Sequence, residues 1–172
     1  MRSSSSPSRV KLIIGLIYRD PQKYLAIKPY LFRLFGKIDL ESEEMPFDYT
    51  DYYKKEFGTD LKRRFVSFSR LIQPSKLAAI KITTNKLEQK FSKTQKRTVN
   101  LDPGYVDMAK LVLASTKDFC HRIYLDRGIF AEITLVYKKD SFTHWDWTYP
   151  DYRTDRYIKI FNQIRQLYSQ QL

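Results

Sequence analysis

Basic side chains are concentrated in one stretch of this 172-residue chain. Residues 61–97 hold eleven Lys or Arg and one Glu, which is +10 of a formal net charge of +12. On a helix that begins near residue 76, four lysines of this stretch fall within an arc of about 100°. Such a row of ammonium groups can neutralise several phosphates and release their counterions. The residues we expect to bind phosphate are Lys62, Arg63, Arg64, Lys76, Lys86, Lys90 and Lys93.

The segment just before this stretch is acidic and supports a competing interpretation. Residues 39–60 hold eight Asp or Glu and two Lys, a local charge of −6. Their carboxylates could fold against the basic stretch, and a charged helix face is often only a solvated surface. Two explanations of the charge therefore stay open: a polyanion-binding surface, or internal pairing with a soluble exterior.

A predicted β-hairpin supplies a second group of candidate residues. Two β-rich runs flank Asp126-Arg127-Gly128, a three-residue turn with Gly in the left-handed position. This turn places Leu125 opposite Ile129 and Arg122 opposite Glu132. The face expected to be apolar carries His121, Ile123, Leu125, Ile129, Ala131, Ile133 and Leu135.

The opposite face of the hairpin could form a site with nearby polar residues. An Arg–Glu pair across a sheet is usually structural, but it becomes a site candidate if the carboxylate lies in a concavity. The weak catalytic candidates are Arg122, Glu132, Tyr105 and Asp102, with Arg19 and Asn100 expected to complete the cleft. Such a cleft would suit a small enzyme that acts on an anionic metabolite.

The common catalytic and metal-binding motifs are missing from the sequence. It contains no GxSxG, HExxH or paired CxxC, and one Cys with two His argues against a dedicated zinc site. Asp48 with Asp51, or Asp146 with Asp151, could hold Mg²⁺ beside substrate phosphates, but loop Asp residues more often cap turns. We therefore expect no metal and no cofactor, and the sequence does not decide whether the protein is an enzyme.

Two segments combine aromatic rings with charged groups, at residues 47–53 and 144–153. Aromatic side chains in loops can stack on bases, and a neighbouring Arg can add a phosphate contact. They can equally bury their rings as lids over the core, which is the more frequent role. The sequence does not assign a function to either loop.

These residues must be positioned by a chain that reads as an α+β protein. Strands are predicted over residues 10–18, 37–41, 61–72 and 97–101, and helices over 21–35 and 74–93. Within the first helix, Pro29 should kink or restart the helix. That order, βαββαβ, predicts a ferredoxin-like core with two helices on one face of an antiparallel sheet. Asp102-Pro103-Gly104 is expected to form a turn after this core. The hairpin and an amphipathic helix over 155–171, capped by Thr154, then follow.

The ends of the chain carry no strong targeting signal. We expect residues 1–9 to be a disordered tail and residues 10–172 to form a single α+β domain. No run of apolar residues approaches the roughly 20 that a membrane helix needs. The expected location is the cytoplasm, without membrane association.

Several segments resemble a bacterial family catalogued as domain of unknown function 4416. They are VKLIIGLIYRD (10–20), FDYTDYYKKEFG (47–58), LKRRFVSF (61–68), NLDPGYV (100–106), HRIYL (121–125) and WTYPDYR (147–153). The resemblance implies a compact cytoplasmic protein, and it supplies no catalytic residues. Some members carry a GTP-binding label, but this chain has no GxxxxGK[ST] motif to cradle phosphates.

Three functions therefore remain open. The first is binding of RNA or a nucleotide-like phosphate through the basic strand and helix. The second is a small enzyme acting on an anionic metabolite at the hairpin face. The third is an interaction subunit for an acidic protein, whose identity the sequence does not indicate.

Overall fold

In the computed structural model, which describes residues 6–50, 54–92 and 96–172, nine strands form one antiparallel sheet. The strands are β1 (Val10–Tyr18), β2 (Ile38–Glu41), β3 (Met45–Pro46), β4 (Lys62–Ile72), β5 (Val99–Val106), β6 (Lys110–Ser115), β7 (Arg122–Asp126), β8 (Ile129–Lys138) and β9 (Ser141–His144). The helices are α1 (Pro21–Phe35), the short α2 (Lys54–Phe57), α3 (Leu77–Lys90) and α4 (Asp155–Ser169). Short 3-10 turns at Pro74–Lys76 and Pro150–Arg153 precede α3 and α4.

The strand order along the sheet is β2-β4-β1-β5-β6-β8-β7, with β3 beside β4 and β9 beside β8. The fold is therefore mixed α+β, as predicted, with one large antiparallel sheet and three long helices. None of the helices in the described part of the chain is apolar over a length that would cross a membrane. Of the tail predicted over residues 1–9, residues 1–5 lie outside the described residues.

Strand β1 is the centre of two hydrophobic layers. The strand predicted over residues 10–18 is confirmed, and all nine of its residues are buried, so it is covered on both faces. Leu12, Ile14 and Leu16 pack on one face with α1 and α3, whereas Ile13 packs on the other face with α4. Because successive side chains of a strand point to opposite faces, one apolar run serves both layers.

Helix α1 begins and ends at the residues that the sequence predicts. The Asp20 carboxylate accepts a hydrogen bond from Gln22 N at 2.9 Å, and the helix ends at Gly36, whose φ is +94°. The restart of the helix expected as one outcome at Pro29 does not occur, because α1 continues through this residue. Pro29 lies on the exposed side of the helix, so the backbone group that loses its hydrogen bond faces solvent.

Helix α4 covers the opposite face of the sheet from α1 and α3. Its predicted cap is confirmed, since Thr154 Oγ1 accepts a hydrogen bond from Tyr157 N. The predicted stripe is also confirmed, since Tyr157, Phe161, Ile164 and Tyr168 are buried. The rings of Tyr157 and Phe161 meet Phe65 of β4 edge-on, with centroids 4.8 and 5.0 Å away.

The turn predicted at residues 102–104 is wrong, because β5 runs through it to Val106. Strand β6 pairs with β5 only from Gly104 onwards, so at Pro103 one side of β5 makes no ladder bonds. A proline without an N–H group is tolerated in a strand at such an unpaired position. The divergence of β6 from β5 leaves a gap in the sheet, and the candidate site occupies this gap.

The hairpin pairing is confirmed at Arg122, which lies opposite Glu132. Its turn is shorter than predicted. Arg127 and Gly128 both have positive φ and form a two-residue connection, so Asp126 and not Leu125 lies opposite Ile129.

The apolar face expected for the hairpin is confirmed only in part. Ile129 and Ala131 pack in the cluster around Leu77, and Leu135 is buried. Ile123 and Ile133 are instead 69% and 40% exposed, whereas Glu132 and Thr134 are buried. Thr148 Oγ1 donates to Thr134 O at 2.6 Å and holds the segment after β9 against β8. Residue alternation along the hairpin contains no information on which face a distant segment will cover.

Gly104 provides a test of the point where β5 and β6 come together. A Cβ atom at this position would overlap the carbonyl oxygen of Val112 and lie 2.7 Å from Leu113 Cδ2. We expect Gly104→Ala to lower the free energy of unfolding in urea by about 3 kcal/mol, because the backbone itself must move. Gly128→Ala, which meets no atom within 4 Å but has φ +75°, should lose only about 1 kcal/mol. Equal stability of the two variants would contradict this description of the strand junction.

Candidate functional site

A cavity of about 530 Å³ opens in the gap between β5 and β6. One wall is the side of α3 that carries Lys81, Asn85 and Glu88. The opposite wall consists of the end of β6 with Arg122 and Glu132 of the hairpin. The segments around residues 47–50 and 149–152 border the cavity, so both aromatic loops of the sequence contribute to it. Four separate parts of the chain therefore have to fold before the cavity exists.

Arg63 of β4 lies at the base of this cavity and is 3% exposed. Its Nη2 donates to Asp151 Oδ2 at 3.0 Å, and its Nη1 lies 3.5 Å from Asp102 Oδ2. The guanidinium also lies 4.9 Å from the ring centroid of Phe47 and 5.6 Å from that of Tyr152. These contacts compensate a buried charge with carboxylates and the negative faces of aromatic rings.

Gly15 of β1 leaves the space that the Arg63 side chain needs. A Cβ atom on Gly15 would lie 3.0 Å from Arg63 Nη1 and 3.0 Å from the Phe65 ring. Tyr152 packs beside this group, and its buried hydroxyl has no hydrogen-bond partner among the described residues. Burial raises the pKa of Tyr152, so the hydroxyl is a neutral donor and acceptor beside the cavity.

A second set of ion pairs lines the wall formed by α3 and β5. Lys81 Nζ donates to Leu101 O at 2.9 Å and lies 3.6 Å from Asp102 Oδ1. Glu88 Oε1 accepts from Leu101 N at 2.6 Å, and its Oε2 accepts from Arg97 at 3.2 Å. Burial raises the pKa of Glu88, and the charge of Asp102 raises it further. A carboxyl group of this kind can hold a proton closer to neutral pH than an exposed glutamate can.

The hairpin wall is organised around the buried carboxylate of Glu132. Arg122 Nε donates to Glu132 Oε2 at 2.9 Å, and His121 Nε2 lies 3.1 Å from the same oxygen. The two terminal nitrogens of Arg122 donate to Ser115 Oγ and Tyr149 Oη, at 3.2 and 2.9 Å. The Arg122–Glu132 pair therefore joins β6, β7, β8 and the 3-10 turn region into one cavity wall.

Three of the four catalytic candidates meet in this cavity. Asp102, Arg122 and Glu132 line it, and so does Asn100. Tyr105 does not line it, because β5 has already joined β6 at that point and Tyr105 packs against the cluster around Leu77. Arg19, expected to complete the cleft, borders a separate groove beside α2.

The seven residues predicted to bind phosphate are divided between different surfaces. Arg63 is buried in the cavity base, whereas its neighbour Arg64 points the other way and pairs with Glu41 at 2.8 Å. Lys62 is half-buried at the start of β4. Lys76 is exposed at the end of the 3-10 turn before α3, and Lys86 and Lys90 are exposed on α3 itself. Lys90 Nζ lies 4.4 Å from the Tyr30 ring centroid, and Lys93 lies outside the described residues.

The acidic segment pairs with basic residues in several parts of the chain. Asp39 pairs with Lys11, Glu41 with Lys28 and Arg64, Glu43 with Arg156, and Glu56 with Arg97. Internal pairing, the second explanation of the charge pattern, therefore accounts for part of the basic excess. Among the described residues, no group of three or more His, Cys, Asp or Glu side chains is arranged to hold a metal ion.

Sequence reasoning missed Lys81, Glu88, Arg97 and Asp151 as members of the site. A weak signal exists for the two residues of α3. On a helical wheel that starts at Lys76, Lys81 and Glu88 fall at about 120–140°, immediately beside the apolar stripe at about 20–100°. Charged residues at that border are half-covered by the neighbouring strand, so they are candidates for buried ion pairs. Asp151 was considered only as a possible Mg²⁺ ligand with Asp146, and no signal in the sequence connects it with Arg63.

The ion pair of Glu56 with Arg97, which lines the cavity, makes the stability of the fold depend on pH. Arg97 donates to both Glu56 oxygens, at 2.8 and 2.7 Å, and these hydrogen bonds lower the Glu56 pKa. A lowered pKa in the folded state stabilises the fold above the unfolded pKa, and this contribution is lost as pH falls through the folded value. Glu56→Gln should therefore be less stable than wild type at pH 7 in urea unfolding, and the difference should close as the pH falls through the lowered pKa of folded Glu56. Gln89→Ala should keep the wild-type pH dependence, and a difference for Glu56→Gln that does not change with pH would contradict the assignment.

The comparisons with known proteins identify the family but not an activity. The family model described as Domain of unknown function (DUF4416) matches residues 8–168. No curated protein and no solved structure matches the chain. The match includes every strand of the sheet and nearly all of α4, so it covers all the elements that form the cavity. This chain belongs to the family Domain of unknown function (DUF4416), as the segments spread along its sequence predicted.

Proposed function

We propose that the protein is a small enzyme that binds an anionic metabolite in the cavity between α3 and the β7–β8 hairpin. The observation that carries this proposal is the cavity itself, about 530 Å³ in volume and lined by Arg63, Lys81, Arg97 and Arg122. Cavities that bind small molecules typically measure 300–1,000 Å³ and contain a few converging polar groups. A single metabolite fits this space, whereas an extended RNA strand does not.

The charges around the cavity favour an anion over a cation. Its lining holds five basic and four acidic side chains, and the chain as a whole carries +12. Such a net field attracts anionic ligands from solution. Inside, the acidic groups Asp151, Glu132 and Glu88 each accept hydrogen bonds from an arginine, so they are partly neutralised before a ligand arrives.

Two carboxyl groups on one wall give the cavity the means for proton transfer. Glu88 and Asp102 lie on either side of the Lys81 contact with β5, and the pKa of Glu88 is raised by its burial. In this proposal Glu88 and Asp102 are the carboxyl groups available for proton transfer with the ligand. Arg122 orients the anionic group of the ligand.

Polyanion binding is the second candidate function, and the exposed face of α3 favours it. Lys76, Lys86 and Lys90 are exposed there, and none forms an ion pair with a carboxylate among the described residues. A row of exposed lysines binds phosphates without reading sequence, and its affinity falls steeply as salt rises. This surface is distinct from the cavity, so the two functions can be separated by substitution.

We also propose a finer description of the fold and location. The order β5-β1-β4-β2, with α1 and α3 on one face, supports a ferredoxin-like βαββαβ unit that the remaining strands extend. The chain contains a single cysteine, Cys120, which is exposed and free. An exposed free thiol suits a reducing compartment, and on that basis we place the protein in the cytoplasm.

Two neighbouring residues of α3 separate the candidate functions experimentally. Asn85 lines the cavity, whereas Lys86 is exposed on the solvent side. We expect a thermal-shift screen of phosphorylated and carboxylated metabolites to find a ligand that raises the melting temperature. Asn85→Trp should fill the cavity and raise the Kd of that ligand at least tenfold in isothermal titration calorimetry. Lys86→Trp should leave the Kd within about twofold of the wild-type value.

The opposite pattern would identify the polyanion surface as the functional site. In that case a labelled RNA would bind at low salt, Lys86→Glu with Lys90→Glu would abolish binding, and Asn85→Trp would have no effect. A screen without any ligand, or a ligand whose affinity is unchanged in Asn85→Trp, would contradict the cavity as the binding site.

A further inference from the structure

Exposed apolar side chains are concentrated at one edge of the sheet. Seven of the large hydrophobic residues that are exposed in the described part of the chain belong to the hairpin or to the segments beside it. They are Phe119, Ile123, Tyr124, Leu125, Ile133, Trp147 and Tyr149. Single exposed apolar residues are ordinary, but a group of this size marks an interaction surface.

The same edge has unpaired backbone groups. Strand β7 is the last strand of the sheet order and pairs with β8 on one side only. The outer side of an edge strand presents N–H and C=O groups that can pair with another strand. Natural proteins usually protect such an edge with charged or proline residues, whereas the central residues of β7, Ile123-Tyr124-Leu125, are apolar or aromatic.

The local charge of this edge restricts its partner. Residues 118–135 contain two arginines and three acidic residues, a local charge of −1 in a chain of +12. The edge therefore offers no positive surface for RNA or an acidic protein. A second copy of this chain could approach here without the repulsion that its basic α3 face would cause.

We propose that β7 pairs with β7 of a second copy about a twofold axis, which makes one continuous antiparallel sheet across a homodimer. An antiparallel strand is complementary to itself under twofold symmetry, as an isologous interface requires. Centred on Tyr124, the middle of Arg122–Asp126, the pairing places Ile123 opposite the partner's Leu125.

This proposal is independent of the proposed activity and is tested by the mass of the free protein. We expect the wild-type chain to sediment at about 41 kDa, twice its 20.6 kDa, in analytical ultracentrifugation. Ile123→Lys should weaken the dimer at least tenfold, because the exposed side chain would place a charge in an apolar contact. The matched control is Phe32→Lys, which should leave the dimer intact. Phe32 is 58% exposed and lies on α1, which packs against β1 and β4, whereas β7 is the strand at the end of the sheet.

A cysteine cross-link then tests the register. In a Cys120→Ser background, Tyr124→Cys places two thiols opposite each other across the twofold axis, within the distance of a disulfide. Mild oxidation should give a covalent dimer for this variant and leave the Phe32→Cys control monomeric on denaturing gels. The proposal is overturned by a wild-type chain that sediments as a monomer at about 100 µM. It is also overturned by a dimer that survives Ile123→Lys or fails to cross-link through Tyr124→Cys.

Discussion

The buried guanidinium of Arg63 has to be compensated, and the structure around it is arranged to do so. Transferring such an ion from water to a protein interior costs several kcal/mol, and removing one partner of a buried pair costs about 3–5 kcal/mol. Asp151 and Asp102 supply opposite charge from two distant parts of the chain. Gly15 contributes by having no side chain where the Arg63 side chain crosses β1. One charge therefore ties together β4, β1, β5 and the turn before α4.

The same requirement explains why a polar cavity survives beside two hydrophobic layers. If β6 followed β5 along its whole length, the gap between them would close and Asp102 would lose its access to solvent. Instead β6 joins only at Gly104, and the ion pairs of Glu88 with Arg97 and of Arg122 with Glu132 form the walls. Arg63 Nε and the Tyr152 hydroxyl are buried at the base without a hydrogen-bond partner among the described residues, and such unsatisfied groups are costly in a low-dielectric interior.

The elements with a clear local pattern of apolar residues or capping groups could be predicted from the sequence. The apolar run of β1, the Asp20-Pro21 start of α1 and the stripe of α4 are local signals, and the structure agrees with each of them. The Arg122–Glu132 pairing also follows from a local turn. Three errors have a common cause, since Pro29, Asp102-Pro103-Gly104 and the hairpin faces depend on what distant segments leave exposed or cover. Propensity describes a residue's own preference, and tertiary packing decides such cases.

The site itself could be predicted only in part, for the same reason. Asp102, Arg122 and Glu132 were identifiable as polar groups near strand ends, and they do line one cavity. The sequence indicated Asp151 only as a possible Mg²⁺ ligand with Asp146, because its contact with Arg63, which precedes it by 88 residues, leaves no local pattern. The charge count correctly describes the chain as basic, but it does not show which of two adjacent basic residues is buried. Arg63 and Arg64 look equivalent in the sequence, yet strand alternation buries one and leaves the other in a pair with Glu41 nearer the surface.

The central claim is that the Arg63–Asp151 interaction stabilises the core that forms the cavity, and a double-mutant cycle measures it directly. Urea unfolding of Arg63→Ala, Asp151→Ala and the double variant should give a coupling energy of at least about 2 kcal/mol. The matched cycle on the more exposed Arg64–Glu41 pair should give less than about 1 kcal/mol. A coupling energy for Arg63–Asp151 no larger than that of Arg64–Glu41 would contradict the account.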